Sequence, residues 1–183
     1  MKMENLREKI LEAAIQAFMR FGIGRTRMHD IASEAGVARQ TVYSNYKNKT
    51  EILCACISYF SAQSLTAIQG EWAQLETLED KLHAYHEHAI IASFKVITAS
   101  EEARDMIGGF NEEGKAATLQ AQQTKITACT DMLSDYTFTQ QSPQQLAEYL
   151  VLSSLGIRDH AQSEDQLRQL LNTQTKSILA LLA

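Results

Sequence analysis

Proline, glycine and cysteine are scarce in this sequence of 183 residues, which has one proline, eight glycines and three cysteines. Few helix breakers, together with abundant alanine, leucine, glutamine and glutamate, favour helix along almost the whole chain. An odd number of cysteines fits reduced thiols rather than a disulfide framework. Cys54 and Cys56 are two residues apart on a predicted helix, so their side chains point to different sides and are poorly placed to form a disulfide.

Long apolar runs are also missing. No uninterrupted run reaches the roughly eighteen apolar residues of a membrane-spanning helix, and the N-terminal MKMENLREKI lacks the continuous apolar segment of a secretion signal. We therefore expect no membrane partner and a cytoplasmic location. A hydrophobic content of 45% with 21% charged residues is typical of a globular chain and argues against disorder.

Recognisable catalytic motifs are absent too. The chain has no Gly-x-Ser-x-Gly, no glycine-rich phosphate loop and no Cys-x-x-Cys pair, so we expect no enzymatic activity. His83, His86 and His88 follow Asp80 on one predicted helix, a spacing that would allow a divalent metal. Because no dense set of carboxylates on a second helix accompanies them, a solvated or ligand-lining role is favoured. We predict no metal site and no cofactor.

The net charge of −5 is distributed unevenly. Residues 1–60 carry nine Lys/Arg and six Asp/Glu, a net charge of +3, whereas residues 61–183 carry eight and sixteen, a net charge of −8. Between Arg25 and Lys49 there are five basic and two acidic residues. A positive N-terminal end on an acidic body indicates that only this end meets a polyanion such as DNA.

Residues 26–53 predict two short helices joined by a tight turn, followed by the start of a third helix. Thr26 is a suitable N-cap, and the apolar residues after it recur with the period of one buried helical face. They are Met28, Ile31, Ala32 and Ala35. Gly36 allows the strained backbone of a tight turn. The second helix starts near Ala38, with Val42 and Tyr46 facing inward.

The other side of this second helix has no aliphatic residue. It carries Arg39, Gln40, Tyr43, Ser44 and Lys47. Such groups read base edges and bind phosphates when a helix lies in a major groove. Asn48 and Glu51 predict a capping box, which would put Lys49 at the positive end of the next helix as a phosphate-binding group. The pattern alone is equally compatible with an ordinary helical hairpin that has a solvated polar face.

Residues 37–53 closely resemble the N-terminal signature of the tetracycline-repressor (TetR/AcrR) family of bacterial regulators, as does the preceding Ile31–Val37. The opening helix matches it through Ile10, Ala13, Ala14, Phe18, Phe21 and Gly22. The resemblance covers about the first third of the chain. It implies an all-α protein of about nine helices, with an N-terminal three-helix helix-turn-helix DNA-binding domain (residues 1–50) and a larger effector-binding and dimerisation domain (residues 51–183).

The function implied is that of a ligand-responsive transcriptional regulator, a repressor that binds a palindromic operator as a dimer and is released by a small-molecule effector. Arg39 and Gln40 are predicted to read bases, with arginine favouring guanine and glutamine favouring adenine. The residues expected to contact the DNA backbone are Thr26, Arg27, Thr41, Tyr43, Asn45, Lys47 and Lys49. Tyr46 stands where the family usually has phenylalanine and is predicted to be core.

The second domain is expected to hold the effector and the dimer partner. The predicted pocket residues, for which plain core is the alternative, are Trp72, Tyr85, His86, Phe94 and Phe110. N-caps predict helix starts after Thr77, Ser100, Ser142 and Ser163. The last two of these helices carry more apolar surface than one hairpin needs, which favours a four-helix bundle with a two-fold partner. The predicted interface comprises Tyr149, Leu152, Leu155, Leu167, Leu171 and Ile178.

Two other functions stay open from the sequence. The chain could be a metal- or ligand-binding helical protein whose N-terminal hairpin serves protein interaction, and such a protein would show no salt-dependent affinity for DNA. It could also be a small helical enzyme whose catalytic pair leaves no recognisable motif.

Overall fold

The computed structural model describes residues 2–183, with side chains described from Leu6 onward. Its architecture is all-α, as predicted, and β-pairing in the described residues is limited to one isolated bridge between Phe138 and Leu182. The helices are α1 (Lys2–Phe21), α2 (Met28–Glu34), α3 (Arg39–Asn45), α4 (Lys49–Trp72), α5 (Leu78–Tyr85), α6 (Ala92–Ala99), α7 (Glu101–Gly108), α8 (Glu112–Leu133), α9 (Pro143–His160) and α10 (Glu164–Leu179). A π-helical turn, His86–Ile91, joins α5 to α6.

Side-chain caps start the helices of the second half where the sequence predicts them. The hydroxyl of Thr77 accepts the backbone N–H of Asp80, and Ser100 caps α7 in the same way. Ser142 forms a complete capping box with Gln145, and Pro143 occupies the first turn of α9. Ser163 caps α10. These bonds satisfy N–H groups that have no partner inside their own helix.

The chain divides into two compact units. The first comprises the residues up to Ala62 and Val96–Ala121, and the second comprises Gln63–Lys95 and Gln122–Ala183. The division into a DNA-binding part before residue 50 and an effector-binding part after it stays a prediction about function, since the compact units are divided at other points. Each unit has its own apolar core.

The core of the first unit is formed by the apolar stripe of α1 together with the inward faces of α2, α3 and α4. The side chains that are fully enclosed there include Ile10, Ala14, Phe18, Ile31, Val42, Ile52 and Leu53. The core of the second unit takes residues from α5, α8, α9 and α10. Its fully enclosed side chains include Leu82, Tyr85, Ile90, Leu133, Leu150 and Leu167.

One helix in the described part of the chain, α4, is long and apolar enough to cross a membrane when judged by length and composition alone. The count of uninterrupted apolar runs did not detect this because serine, threonine and glutamine interrupt the apolar residues of α4. Core helices of soluble proteins pass the same test. The apolar side chains of α4 supply core positions, Ile52 and Leu53 in the first unit and Ile68 in the second.

Candidate nucleic-acid interface

The turn between α2 and α3 fixes the direction of α3. Gly36 has φ of +61°, a left-handed conformation that a side chain would strain. The backbone N–H of Val37 then donates to Ala32 O at 3.0 Å, which closes the turn. On α3 itself Val42 is fully buried, and Tyr46, just after the helix, is 5% exposed. These two anchors leave the opposite face of α3 in solvent, and Tyr46 is core as predicted.

The exposed face of α3 is organised around Arg39 and Tyr43. The guanidinium of Arg39 lies over the Tyr43 ring, 5.3 Å from its centre, and Arg39 Nη2 donates to Tyr43 Oη at 3.3 Å. This stacking restricts the arginine rotamers while leaving the other guanidinium N–H groups free to bind a ligand. Gln40 and Lys47 are also exposed. All four side chains therefore remain candidates for contact with a nucleic acid.

Thr41 and Asn45 occupy the margin of this face and are half-buried. The Asn45 Nδ2 group donates to Thr41 O at 2.8 Å, within the same helix. One of its two amide protons is therefore already bonded in the free protein. Arg27, before α2, is exposed, and its backbone N–H donates to Asp30 Oδ2 at 2.7 Å.

Thr26 does not have the role that the sequence suggested. It is 1% exposed, and its hydroxyl donates backward to Gly22 O at 2.8 Å, with Ala17 O at 3.2 Å. The N-cap of α2 is Arg27 rather than Thr26. The predicted N-cap and backbone contact at Thr26 are therefore wrong, because its hydroxyl satisfies the carbonyls at the end of α1 instead.

Lys49 is likewise engaged within the protein. Its ammonium donates to Gly24 O at 3.0 Å and Thr26 O at 2.9 Å, and also to Ile23 O. All three N–H groups are thus used, and burial lowers the lysine pKa. Lys49 thus holds the loop between α1 and α2 in the free protein, and its phosphate contact stays a prediction.

An open groove of about 270 Å³ lies beside this loop and was not predicted from the sequence as a site. It is lined by Arg20, Phe21, Arg25 and Asp30. The Arg20 guanidinium stacks on the Phe21 ring at 5.1 Å, and Arg25 Nε donates to Phe21 O at 2.8 Å. Sequence periodicity could not identify the groove because its residues come from the end of α1, the following loop and the first turn of α2.

Four of the five predicted effector residues lie in the second unit and are buried: Trp72, Tyr85, His86 and Phe94. Trp72 Nε1 donates to Lys81 O at 2.7 Å. Phe110 is different: it is 51% exposed and belongs to the first unit, where its ring approaches Gly24. The assignment of Phe110 to the buried apolar centre is therefore wrong, because this residue follows the glycine end of α7.

His86 takes part in a buried polar network. Its Nε2 lies 2.8 Å from Gln174 Oε1, and Gln174 Nε2 donates to Leu150 O at 3.1 Å. Since the amide N–H₂ must face the carbonyl of Leu150, Gln174 presents its oxygen to the histidine, and His86 Nε2 carries the proton. Burial lowers the pKa of His86 to about 4, so the ring is neutral at pH 7. The Nδ1 atom has no partner.

The other two histidines point to separate carboxylates. His88 Nε2 lies 2.6 Å from Glu71, and His83 Nε2 lies 3.8 Å from Glu79. The three histidines of the Asp80–His88 motif therefore do not converge. Within the described residues no group of three His, Cys, Asp or Glu side chains could hold a metal ion.

The predicted dimer residues separate into two sets. Leu167, Leu171 and Ile178 are at most 2% exposed within one chain. Their assignment to an interface is therefore wrong, because they pack in the core of the second unit. Tyr149 and Leu152 are 46% and 53% exposed on α9, and Leu155 is half-buried. Leu170, at 41% exposure on α10, was not predicted.

Comparison with known proteins bears on the N-terminal elements. Residues 10–56 match the model of bacterial regulatory proteins of the tetR family. The HTH-type transcriptional regulator TtgR of Pseudomonas putida is 31% identical over 105 residues, which are 57% of this chain and 37% of that relative. The matched segment therefore spans about a third of the length of this curated relative.

Solved structures extend the likeness to the fold of nearly the whole chain. SmeT, the repressor of the Stenotrophomonas maltophilia multidrug efflux pump SmeDEF, has a TM-score of 0.63 and 22% identity, over 97% of this chain and 90% of SmeT. A complex of SmeT with triclosan gives a TM-score of 0.60 and 20% identity, over 97% of this chain and 88% of that one.

Proposed function

We propose that this chain, whose residues 10–56 match the model of bacterial regulatory proteins of the tetR family, is a ligand-responsive transcriptional regulator that binds operator DNA and acts as a repressor. The observation that carries the proposal is the exposed polar face of α3, formed by Arg39, Gln40, Tyr43 and Lys47 above the buried anchors Val42 and Tyr46. This arrangement fits a recognition helix in a major groove.

Each group on this face has a distinct part in binding DNA. The Arg39 guanidinium, held by Tyr43, is suited to bidentate contact with the O6 and N7 atoms of guanine. The Gln40 carboxamide has the donor and acceptor needed for adenine. Lys47 and Arg27, both exposed, supply positive charge to phosphates. We propose that Thr41, Asn45 and the Tyr43 hydroxyl contact the DNA backbone and so set the register of the helix on the duplex.

The arrangement of subunits is proposed from the exposed apolar side chains of the last two helices. Tyr149 and Leu152 of α9, together with Leu170 of α10, are exposed in the single chain. A two-fold partner packing on these residues would cover them and form a four-helix bundle. Two recognition helices roughly 34 Å apart would then meet successive major grooves, which requires a palindromic operator. We place this protein in the cytoplasm with no enzymatic activity.

The effector is proposed to bind in the second unit, near the buried residues Trp72, Tyr85, His86 and Phe94. Binding of a small molecule there would favour a conformation with lower affinity for DNA. The triclosan complex of SmeT is consistent with a small-molecule site in a protein of this fold.

Selection of bound sequences from random double-stranded DNA tests the proposal. The expected result is one palindromic site, bound by the purified protein with an affinity that falls steeply as salt is raised. Recovery of no preferred sequence at moderate salt would overturn the DNA-binding function.

Arg39 can then be tested on the selected site. We expect Arg39→Ala to weaken operator binding by about 1–3 kcal/mol and to relax the preference at one base pair of each half-site. Lys47→Ala is the matched control, since a phosphate contact should weaken operator and random DNA alike. Equal losses on both DNAs for the two variants would show that Arg39 does not read bases.

A further inference from the structure

The second unit contains a positively charged cluster formed by Lys125 of α8 and Arg158 of α9. The Arg158 side chain is only 13% exposed, and its one carboxylate partner, Asp159, is 51% exposed at 2.7 Å. Its Nη1 atom points the other way and donates to Ser93 Oγ at 3.4 Å. One edge of the guanidinium is therefore paired at the surface, while the other lies among buried side chains.

Lys125 has no anionic partner within the part of the chain that the structure describes. It is half-buried. Burial lowers the pKa of Lys125, and the nearby Arg158 cation lowers it further. Cys129 lies one turn along α8, and burial raises the pKa of its thiol to about 12, so it carries no compensating charge. Asp159 pairs with Arg158 but not with Lys125, so this poorly solvated region keeps an excess of positive charge that an added anion would offset.

Tyr85 adds an unused hydrogen-bond donor to this cluster. It is 1% exposed, its hydroxyl has no hydrogen-bond partner, and it lies close enough to Arg158 and Cys129 to interact electrostatically with both. Buried hydroxyls are normally satisfied, so a donor that is unpaired within the described part of the chain is suited to bond to a ligand that accepts from it. The π-helical turn His86–Ile91 starts at the next residue, and such turns are frequent at functional sites.

We propose that Tyr85, Lys125 and Arg158 bind the anionic group of the effector, and that the effector is an organic anion with an apolar body. This inference rests on the proposed function and specifies the chemical class of its effector. A carboxylate would accept from the Tyr85 hydroxyl and offset the excess positive charge that Asp159 leaves on Lys125 and Arg158. Its apolar body would pack against the core that surrounds Tyr85, which includes Leu82 and Ile90. The same charges reject cationic compounds.

Calorimetric titration of the whole chain without DNA tests the class of ligand. The probes are benzoate, 2-naphthoate and octanoate, each compared with its own carboxamide, which has nearly the same shape and no charge. We expect at least one carboxylate to bind about tenfold or more tightly than its amide. Equal affinities within all three pairs, or no binding by any carboxylate, would overturn the proposal.

Variants locate the binding to these residues. Lys125→Met should weaken carboxylate binding by about tenfold or more and leave amide binding unchanged. Tyr85→Phe should also weaken carboxylate binding by about tenfold, through loss of the donated hydrogen bond. Lys176→Met removes the same charge from an exposed position of α10 and should change neither. Carboxylate binding that survives both substitutions, or that falls equally in the Lys176 control, would contradict the assignment.

The stability of the unliganded protein separates binding from a structural role. Because Lys125 is an unpaired cation and Tyr85 has an unpaired hydroxyl, we expect Lys125→Met and Tyr85→Phe to keep or raise the midpoint of thermal unfolding. A lower midpoint in both variants would show that these groups hold the unit together, against the proposal. Absence of DNA preference in the unliganded protein would count only against the proposed function, since the titrations contain no DNA.

Discussion

At the level of single residues, Lys49 shows that position along a helix does not reveal the tertiary contacts of a side chain. A lysine at a helix N-terminus usually suggests a phosphate contact. Here its ammonium is bonded to three carbonyls of the segment Ile23–Thr26. These residues lie more than twenty positions earlier in the sequence, and no local pattern records the contact. Lys47, two residues before, remains exposed and is therefore available for its predicted phosphate contact.

Replacing Lys49 should therefore affect folding rather than charge attraction. We expect Lys49→Met to lower the free energy of unfolding by about 1–3 kcal/mol, because three carbonyls lose a charged donor. Urea unfolding measures this, and Lys47→Met is the control with no expected change. In contrast, Lys47→Met should reduce the salt dependence of DNA binding. A normal stability with a reduced salt dependence in Lys49→Met would return this residue to the DNA interface.

His86 predicts a pH dependence of stability. Burial lowers its pKa from 6.5 to about 4. Above pH 6.5 the ring is neutral in both states, and its contribution is fully present. As the pH falls from 6.5 towards 4, the unfolded chain binds a proton that the folded protein excludes. The free energy of unfolding should therefore fall by up to about 3 kcal/mol through this residue.

Urea unfolding across this pH range checks the expectation in a pair of variants. His86→Gln should lose part of the wild-type decrease between pH 6.5 and 4, whereas the exposed His160→Gln should retain all of it. The same decrease in His86→Gln as in the wild type would mean that the ring is not protected from protonation in the folded state.

At the level of elements, the end of α7 depends on one glycine. Gly109 has φ of +73°, and a Cβ atom there would lie 2.4 Å from the carbonyl carbon of Gly114. Gly109→Ala should therefore lower the free energy of unfolding by about 2–4 kcal/mol, through both backbone strain and the clash. Gly108→Ala is the adjacent control. Its Cβ would meet nothing within 4 Å, so it should stabilise slightly or have no effect.

Thermal unfolding of the two variants measures the difference. A similar midpoint for Gly109→Ala and Gly108→Ala would show that the corner between α7 and α8 can relax around an added methyl group.

The elements also show where sequence reasoning succeeds. The starts of α5, α7, α9 and α10 were predicted because their caps are local bonds between residues three positions apart. The burial of Val42 and Tyr46 followed from helical period. Threonine is a suitable N-cap residue, so the sequence favoured that role for Thr26. In the structure its hydroxyl bonds instead to Ala17 O of α1 and to Gly22 O just after it. The choice between such partners depends on tertiary packing.

Tertiary packing also explains why the sequence did not predict the charge cluster and did not separate the core residues of α10 from the exposed ones. Lys125 and Arg158 are more than thirty residues apart, and nothing in the spacing indicates that their charges interact. On α10, leucines face both the core and the solvent: Leu167 is fully buried while Leu170 is 41% exposed. Apolar composition alone therefore overstated the number of residues available to a partner subunit.

At the level of the whole molecule, the exposed residues of α9 and α10 predict the oligomeric state. We expect Leu152→Glu to convert a dimer to monomers, with the dissociation constant raised at least about a hundredfold, because it would bury an unpaired charge. Affinity for the palindrome should fall with it. Sedimentation equilibrium measures the change. Leu119→Glu is the control and should leave the dissociation constant unchanged. Leu119 is even more exposed, at 64%, but it lies in the first unit and is not part of the proposed interface.

If Leu152→Glu remained dimeric, another surface would have to join the subunits. If the wild-type protein were itself monomeric, the proposed palindromic mode of binding would be contradicted.

The separation of the two faces of α3 has a consequence for how such a protein diversifies. Val42 and Tyr46 secure the helix from beneath, while Arg39 and Gln40 make no contribution to the core. Mutations at the outer positions can therefore accumulate without eroding thermostability. If α3 reads DNA as proposed, a lineage that inherits this scaffold can acquire new target sequences through one or two surface exchanges while its folding stays intact.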